Sequence, residues 1–488
     1  MKRVFKYFLA LVAVSFAFAA CKEDEPKEVA PVFSIAADQQ FKADRTASVS
    51  VIADKDLKKD AVVVFILDQA STLAADVLSF DESATIKAGT RSASITVSLV
   101  ADKFAELASG DYKAVFAAKV DDADVSGTAT ITTTVEKVPA LERVWGFYNT
   151  SETKWYANTN ITAVSIAHPD GYGMARSLAM DDEYVYLPKS SGYAALAAVS
   201  IANPETQVAG KVTGIAGGST FVSSFTRVIK NTDAEVNGGK DVLLLCNLTS
   251  TDSDANQLRV YAYKDGINSA PTQIAGYCWD GANNVNDWRR YGDRFFVTGD
   301  WSNAKLYFPS FNAGKSVILS IANGARTAVT QITAGEDSPN GIKDVTVYPG
   351  TEAIFLTNND IANLISATGG DKTNGWDTYA KTASSDKGKG TFGYNFFTFN
   401  GKNYIAYARI SGETKAWIEV IEDKGDLLTS LNDQTGLLKS PIHDASNLEK
   451  EAATGNLADC CVRVINDVVY IAALTRDGGF VLDKLIMK

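Results

Sequence analysis

The stretch GKNYIAY, residues 401–407, joins a polar, Gly-containing turn to an apolar, β-forming run. The same order recurs as DDEYVYL (181–187), GKDVLLL (239–245), GDRFFVT (292–298), GTEAIFL (350–356) and INDVVYI (465–471). The apolar runs open at Tyr184, Val242, Phe295, Ala353, Tyr404 and Val468, at spacings of 58, 53, 58, 51 and 64 residues. A second element repeats beside it: AVSIAHP from Ala163, AVSIANP from Ala198 and LSIANG from Leu319. Further strand signals follow, such as LRVYAYKDG from Leu258 and AWIEVIEDKG from Ala416. A repeat of this length with about four short strands suits a propeller blade. Each small sheet has two faces to cover, and neighbours in a closed ring cover both while leaving only short edges. Residues 139–488 therefore predict a six- or seven-bladed β-propeller, with seven favoured. The last unit, from Cys460, holds too few strands for a blade, so a strand from about Arg143 to Tyr148 is expected to complete it and close the ring. Two sandwiches or a β-solenoid are the alternatives, and solenoid repeats are usually shorter.

The preceding hundred residues alternate in shorter runs. VFSIAA, ASVSVIA, AVVVFILD, SATIKAG, SASITVSLV, YKAVFAAKV and GTATITTTV, between Val32 and Val135, read as seven strands separated by Asp, Lys and Gly turns. Seven alternating strands in so short a span predict a β-sandwich over 31–138. The segment LSFDESATIKAGTRSASITVSLVAD, from Leu78, resembles Calx-beta and related Ig-like modules. The resemblance implies an Ig-like fold and carries over no calcium ligands. The fold class expected for the whole chain is all-β, with an N-terminal Ig-like β-sandwich ahead of the propeller, and Val138-Pro139 marks the boundary.

The first twenty residues have a different character. Lys2, Arg3 and Lys6 precede an uncharged run, Tyr7 to Ala20. That run is shorter than the roughly 20 residues of a membrane span and reads as a signal peptide, 1–20. Phe18-Ala19-Ala20-Cys21 resembles the bacterial lipobox, with Phe18 where Leu or Val is usual. The resemblance implies acylation of Cys21 and cleavage before it. Each buried acyl methylene contributes about 0.8 kcal/mol, so several chains on one sulfur make a lasting anchor. Residues 21–30, with Lys22, Glu23, Asp24, Glu25 and Pro26, lack the apolar surface to fold and read as a flexible stalk. Lys22-Glu23-Asp24 resembles the surface-export signal of Bacteroidetes lipoproteins, which implies an outer-membrane anchor facing outward.

Charge and composition narrow the partners. Without Lys2, Arg3 and Lys6 there are 44 basic against 58 acidic side chains, a charge of −14. Such a chain is repelled by nucleic acid, whose binding requires phosphate neutralisation. Cys246, Cys278, Cys460 and Cys461 allow three disulfide pairings. Buried free thiols are the favoured reading, and the adjacent Cys460 and Cys461 should point to opposite faces of a strand.

Few residues speak for catalysis. His168 and His443 are the only histidines. His168 stands where a repeat has Asn203, as a turn former would. No GxSxG, HExxH or phosphate-loop pattern occurs, and no metal or cofactor is expected. DSDAN (252–256) lacks the Gly and the later Glu of a calcium loop. Asp280, Asp287 and Asp300 are the nearest approach to a glycosidase carboxylate set. More informative are Trp279, Trp288 and Trp301, close together with Asp280, Asp287 and Arg289, and the similar groupings at Trp155 and Trp376. All read as loop residues, whereas Trp145 and Trp417 read as core. An aromatic plate with Asn, Asp and Arg beside it suits a sugar ring, which has an apolar C–H face and a polar rim. Packing between blades is the competing role for these tryptophans.

The lipobox, Lys22-Glu23-Asp24, the Ig-like spacer and the all-β C-terminal region together resemble Bacteroidetes surface lipoproteins of polysaccharide-utilisation systems. The resemblance implies non-catalytic carbohydrate binding through propeller loops, a membrane held through the lipid, and an outer-membrane transport complex as partner. A glycoside hydrolase or lyase, or a protein-interaction scaffold, is the alternative.

Overall fold

The computed structural model describes residues 29–151, 154–157, 175–188, 194–216, 221–249, 257–277, 291–309, 315–333, 344–351, 353–357, 362–366, 380–381, 390–411, 415–442, 457–475 and 479–488. The chain divides into two units, one ending at Lys137 and one beginning at Val138. Strands dominate both. The described helices of more than three residues are Ala101–Glu106 and Leu427–Asp433.

In the first unit the strands alternate. Ala61–Leu67 and Ser92–Leu99 each bury every second residue, the pattern of a sheet with one face on a core and one in water. Two antiparallel sheets result. One runs Phe33–Ala37, Thr46–Ala53, Ser92–Leu99, Leu78–Phe80. The other joins Ser83–Ile86, Ala61–Leu67, Gly110–Val120 and the short Ala123–Asp124, with Ala129–Val135 also paired to Gly110–Val120. Val49, Val51, Ile95 and Val97 of one sheet and Val63, Phe65, Phe116 and Ile131 of the other form one core.

The second unit has a different burial pattern. All seven residues of Val242–Leu248 are buried, as expected of a strand covered on both faces. Six antiparallel sheets are present among the described residues. The first to fifth hold four strands each in sequence order. Their innermost strands are Ala179–Met180, Phe221–Ile229, Phe296–Asp300, Asp344–Val347 and Thr391–Phe399. The sixth is built from Ala458–Ile465, Val468–Thr475 and Gly479–Met487. It then takes in Pro139–Ser151, which pairs antiparallel with Gly479–Met487, and Lys154–Ala157 at its edge. The six inner strands neighbour one another in order, and Ala458–Ile465 lies against Ala179–Met180. The architecture is a closed, propeller-like ring of six sheets. Six is the lower of the two predicted numbers; the favoured seven is not met among the described residues.

The six recurring turn–strand stretches fall one to each sheet. Five of the six recurring turn–strand stretches fall on second strands, but GDRFFVT leads into the inner strand of the third sheet. Gly292 there has φ +90°, and a Cβ would sit 1.9 Å from the Asn247 carbonyl oxygen. It is a glycine of close approach between sheets, not of a hairpin. True hairpin turns carry Asn323-Gly324 and Asn400-Gly401, with φ of 49° and 72°, and 48° and 74°. Positive φ at both central residues matches the right-handed twist of the flanking strands.

Among the described residues, five of the gaps between neighbouring sheets each hold their own core. Trp145, Phe147 and Phe480 of the sixth sheet pack with Leu178, Val185 and Val199 of the first. Leu244 and Val260 of the second meet Leu306 and Leu319 of the third. Cys460 and Cys461 belong to two different clusters, so their side chains do leave opposite faces of the strand. Cys246, Cys460 and Cys461 are free and buried, and burial pushes each thiol above its ordinary value. Cys278 lies outside the described residues.

Candidate functional site: the centre of the ring

An inner strand faces the ring axis with one side, so its residues there must either pack together or pair. Here they pair. Arg176, Asp293, Arg294, Asp344 and Asp459, from the first, third, fourth and sixth sheets, are buried together with Ser177, Ser223, Ser224, Thr226, Thr346 and Thr391, and the half-buried Arg227 of the second sheet joins them. Asp459 takes the Arg227 guanidinium in a two-pronged contact, Nη1 to Oδ2 at 2.8 Å and Nη2 to Oδ1 at 2.9 Å. Its Oδ2 also accepts the Leu178 N–H at 2.9 Å, and Arg294 Nη1 stands 3.4 Å from Oδ1. Arg294 donates further to the Ala458 carbonyl. Arg176 Nη1 donates to Asp293 Oδ1 at 2.8 Å. Two guanidiniums lie on aromatic faces. Arg227 is 4.2 Å from the Phe225 centroid, and Arg294 lies 5.0 and 5.3 Å from those of Phe225 and Phe392.

Burial opposes the charge on Arg227, but Asp459 overrides it and holds the guanidinium above its ordinary value. Asp344 goes the other way. Burial pushes its carboxyl up, and the charge of Asp459 adds to this. Arg294, the Gly393 N–H and Arg227 pull it down and fall short. Its oxygens accept the N–H groups of Val345, at 2.9 Å, and Gly393.

Beside this network lies a cavity of about 680 Å³, walled by five of the six inner strands. Arg227 and Val228 come from the second sheet, Phe296 to Gly299 from the third, Val345 and Val347 from the fourth, Gly393 to Phe396 from the fifth, and Cys460 and Cys461 from the sixth. Hairpin residues of the third and fourth sheets, Asn303, Lys305, Tyr307, Tyr348 and Thr351, complete it. Phe296 and Phe396 are half-buried and Asn303 is exposed. Tyr348 stands edge-on to Phe396, with centroids 5.1 Å apart, and donates to Asp423 behind it at 2.7 Å. Asn395 is engaged with the Gly393 and Cys460 carbonyls and the Val462 N–H. No Asp or Glu lines the cavity among the described residues. A second cavity, about 460 Å³, lies between the first and second sheets and includes Asp181, Asp182, Glu183 and Asp241.

The sequence-predicted residues are placed as follows. Trp301 is a correction. It is not a loop side chain open to a ligand but is 4% exposed, packed in the core between the second and third sheets. It sits in the Asp300–Asn303 hairpin, where its N–H bonds to the Lys230 carbonyl and its carbonyl to the Asn323 N–H. A Cβ on Gly324 would come within 2.3 Å of the indole, so this turn requires Gly at 324 as a seat for Trp301. Trp155 is likewise not in a loop; it pairs with Asn149 in the edge strand Lys154–Ala157. Trp145 is buried as expected, its indole N–H donating to the Ile201 carbonyl at 3.0 Å, while Trp417 is half-buried. Asp300 caps its own turn, accepting from Ser302 and Asn303. Those bonds hold its carboxylate below the ordinary value. Cys21, Trp279, Asp280, Asp287, Trp288, Arg289, Trp376, His168, His443 and the 252–256 stretch lie outside the described residues. Among the described residues no group of three or more His, Cys, Asp or Glu side chains is placed to hold a metal.

The central network was missed from sequence, although a signal existed. Arg176, Arg227, Arg294 and Asp344 each stand at the edge of a short apolar run, at spacings of 51, 67 and 50 residues.

No protein-family model matches the chain, and no curated protein matches it significantly. Solved structures similar to it include a candidate 6-phosphogluconolactonase from Bacteroides uniformis ATCC 8492, at 13% identity and TM-score 0.36, covering 72% of this chain and 100% of that one. The WD40 domain of SCAP from fission yeast matches at 10% identity and TM-score 0.32, covering 71% and 98%. A candidate carbohydrate-binding protein from Bacteroides ovatus ATCC 8483 matches at 10% and 0.18, covering 78% and 88%. The ring is read from its own strand pairing, not from these likenesses.

Proposed function

We propose that the chain is a lipoprotein, anchored at the outer membrane through Cys21, whose six-bladed ring binds carbohydrate without reacting with it and serves an outer-membrane transport complex. The N-terminal unit is then an Ig-like spacer. The observation that carries the binding reading is the central cavity. Its volume falls in the range of about 300–1,000 Å³ typical of ligand sites. Its wall sets the aromatic side chains Phe296, Tyr348 and Phe396 beside Thr298, Asn303 and Thr351, offering an apolar plate and uncharged hydrogen-bonding groups together. The non-catalytic reading is supported by the carboxylates. A glycosidase needs two of them flanking the sugar. Here Asp344 and Asp459 have every oxygen engaged by an N–H group and do not line the cavity.

The test is a glycan array probed with the chain from Pro31 onward, followed by titration calorimetry on the best ligand. Thr298→Trp, which fills the cavity, should weaken binding more than tenfold. Trp279→Ala examines the 278–290 segment as the alternative contact and should change affinity less than threefold. No sugar bound by the folded protein would end the reading. Loss in Trp279→Ala with Thr298→Trp unaffected would move the site to the 278–290 segment.

A further inference from the structure

We propose that the sugar taken by the central cavity is an acidic one, carrying a carboxylate that Lys305 receives in the field of Arg227. This rests on the carbohydrate reading above and specifies its ligand class. The first ground is the sign of the lining. Acidic side chains outnumber basic ones 58 to 47 in the chain, yet this cavity is lined by Arg227 and Lys305 and by no carboxylate among the described residues. The neighbouring cavity shows the opposite composition, with Asp181, Asp182, Glu183 and Asp241 against Lys240 and Arg463. An anion is thus favoured at one site and repelled at the other.

The second ground is what lies beneath. Three guanidiniums, Arg176, Arg227 and Arg294, face three carboxyls, Asp293, Asp344 and Asp459, in the buried network. Asp344, the carboxyl with no guanidinium within 4 Å among these pairs, is the one that burial shifts toward its neutral form. The floor therefore ranges from neutral to positive and never becomes negative. Arg227 is the network member that reaches the cavity, its side chain 14% exposed against 0% for Asp459 behind it. A low-dielectric wall focuses that field on a bound anion. The Arg227 fork is held by Asp459 and acts through its charge, while the Lys305 ammonium meets the carboxylate and the aromatic plate matches the ring that bears it.

The experiment pairs acidic polysaccharides (pectin, alginate and a glycosaminoglycan) with the same polymers after reduction of their carboxyls to alcohols. The folded protein should bind at least one acidic polymer at least tenfold more tightly than its reduced partner, with affinity falling as salt rises from 50 to 500 mM. Asn303 and Lys305 are exposed, so changing them should leave the thermal midpoint in place. Lys305→Gln should cost at least tenfold on the acidic polymer and under twofold on any neutral sugar bound, and Asn303→Asp should likewise cost at least tenfold on the acidic polymer. Equal binding of acidic and reduced polymers, or acid binding indifferent to both variants, overturns this inference and leaves the carbohydrate reading standing. Failure to bind any acidic, reduced or arrayed neutral glycan overturns both.

Discussion

Asp344 has its two oxygens facing backbone N–H groups and its charge facing Arg294, and burial still dominates its titration. A carboxyl whose folded value is raised keeps its proton after the unfolded chain has lost it. Its contribution to stability is complete below the ordinary value of 3.8 and is lost as pH rises through the raised one. Asp344→Asn removes that titration and leaves the neighbours in place. Denaturant unfolding of parent and variant from pH 4 to 8 should show the variant gaining on the parent as pH rises, then levelling. A constant offset across the range would mean that Asp344 stays ionised. The reason this residue was not legible in sequence is general. A buried charge announces itself only through partners, and those of Asp344 lie 50 residues before it at Arg294 and 115 after it at Asp459. Trp301 fails for a similar reason. Flanking polar residues made it read as a loop plate, whereas Gly324, brought to it by the neighbouring hairpin of the same sheet, gives the indole its seat.

At the scale of strands the reading was surer, because alternation and turn chemistry are local. All seven runs of the first unit are strands, with Leu78–Phe80 and Ala123–Asp124 as short additions. The recurring AVSIANP and LSIANG stretches both mark the end of a third strand, Leu196–Ser200 and Lys315–Ala322. Closure by an N-terminal strand was also legible, from the shortfall of strands after Cys460. That strand is where the ring is held shut. Phe147 stacks on Phe480 across the Pro139–Ser151/Gly479–Met487 pairing with centroids 4.8 Å apart, and Trp145 stands edge-on to both. Removing a large buried aromatic costs about 3–5 kcal/mol, and here the loss falls on the seam. Trp145→Ala should lower the unfolding free energy by that amount, while Val464→Ala, at a 48% exposed position of the same sheet, should stay within about 0.5 kcal/mol. A Trp145→Ala loss below about 1 kcal/mol would show that the closing strand does not hold the ring.

For the whole molecule the proposed function raises the question of what would keep it at a membrane. Among the described residues no helix is long and apolar enough to cross one. With residues 1–20 removed, as the proposed function has it, a charge of −14 would repel it from an anionic surface. In the proposed function acyl chains at Cys21 supply membrane residence, and a single substitution separates anchor from ring. Cys21→Ser removes the thiol that the proposed anchor requires. Expressed in a Bacteroidetes host, the parent should incorporate labelled palmitate and stay with the membrane pellet through an alkaline carbonate wash. The variant should lose the label and leave the pellet, with the thermal midpoint of the ring unchanged. A variant that loses its label yet still sediments would mean that a protein partner holds the molecule, and the argument from lipid would fail even though the fold stands.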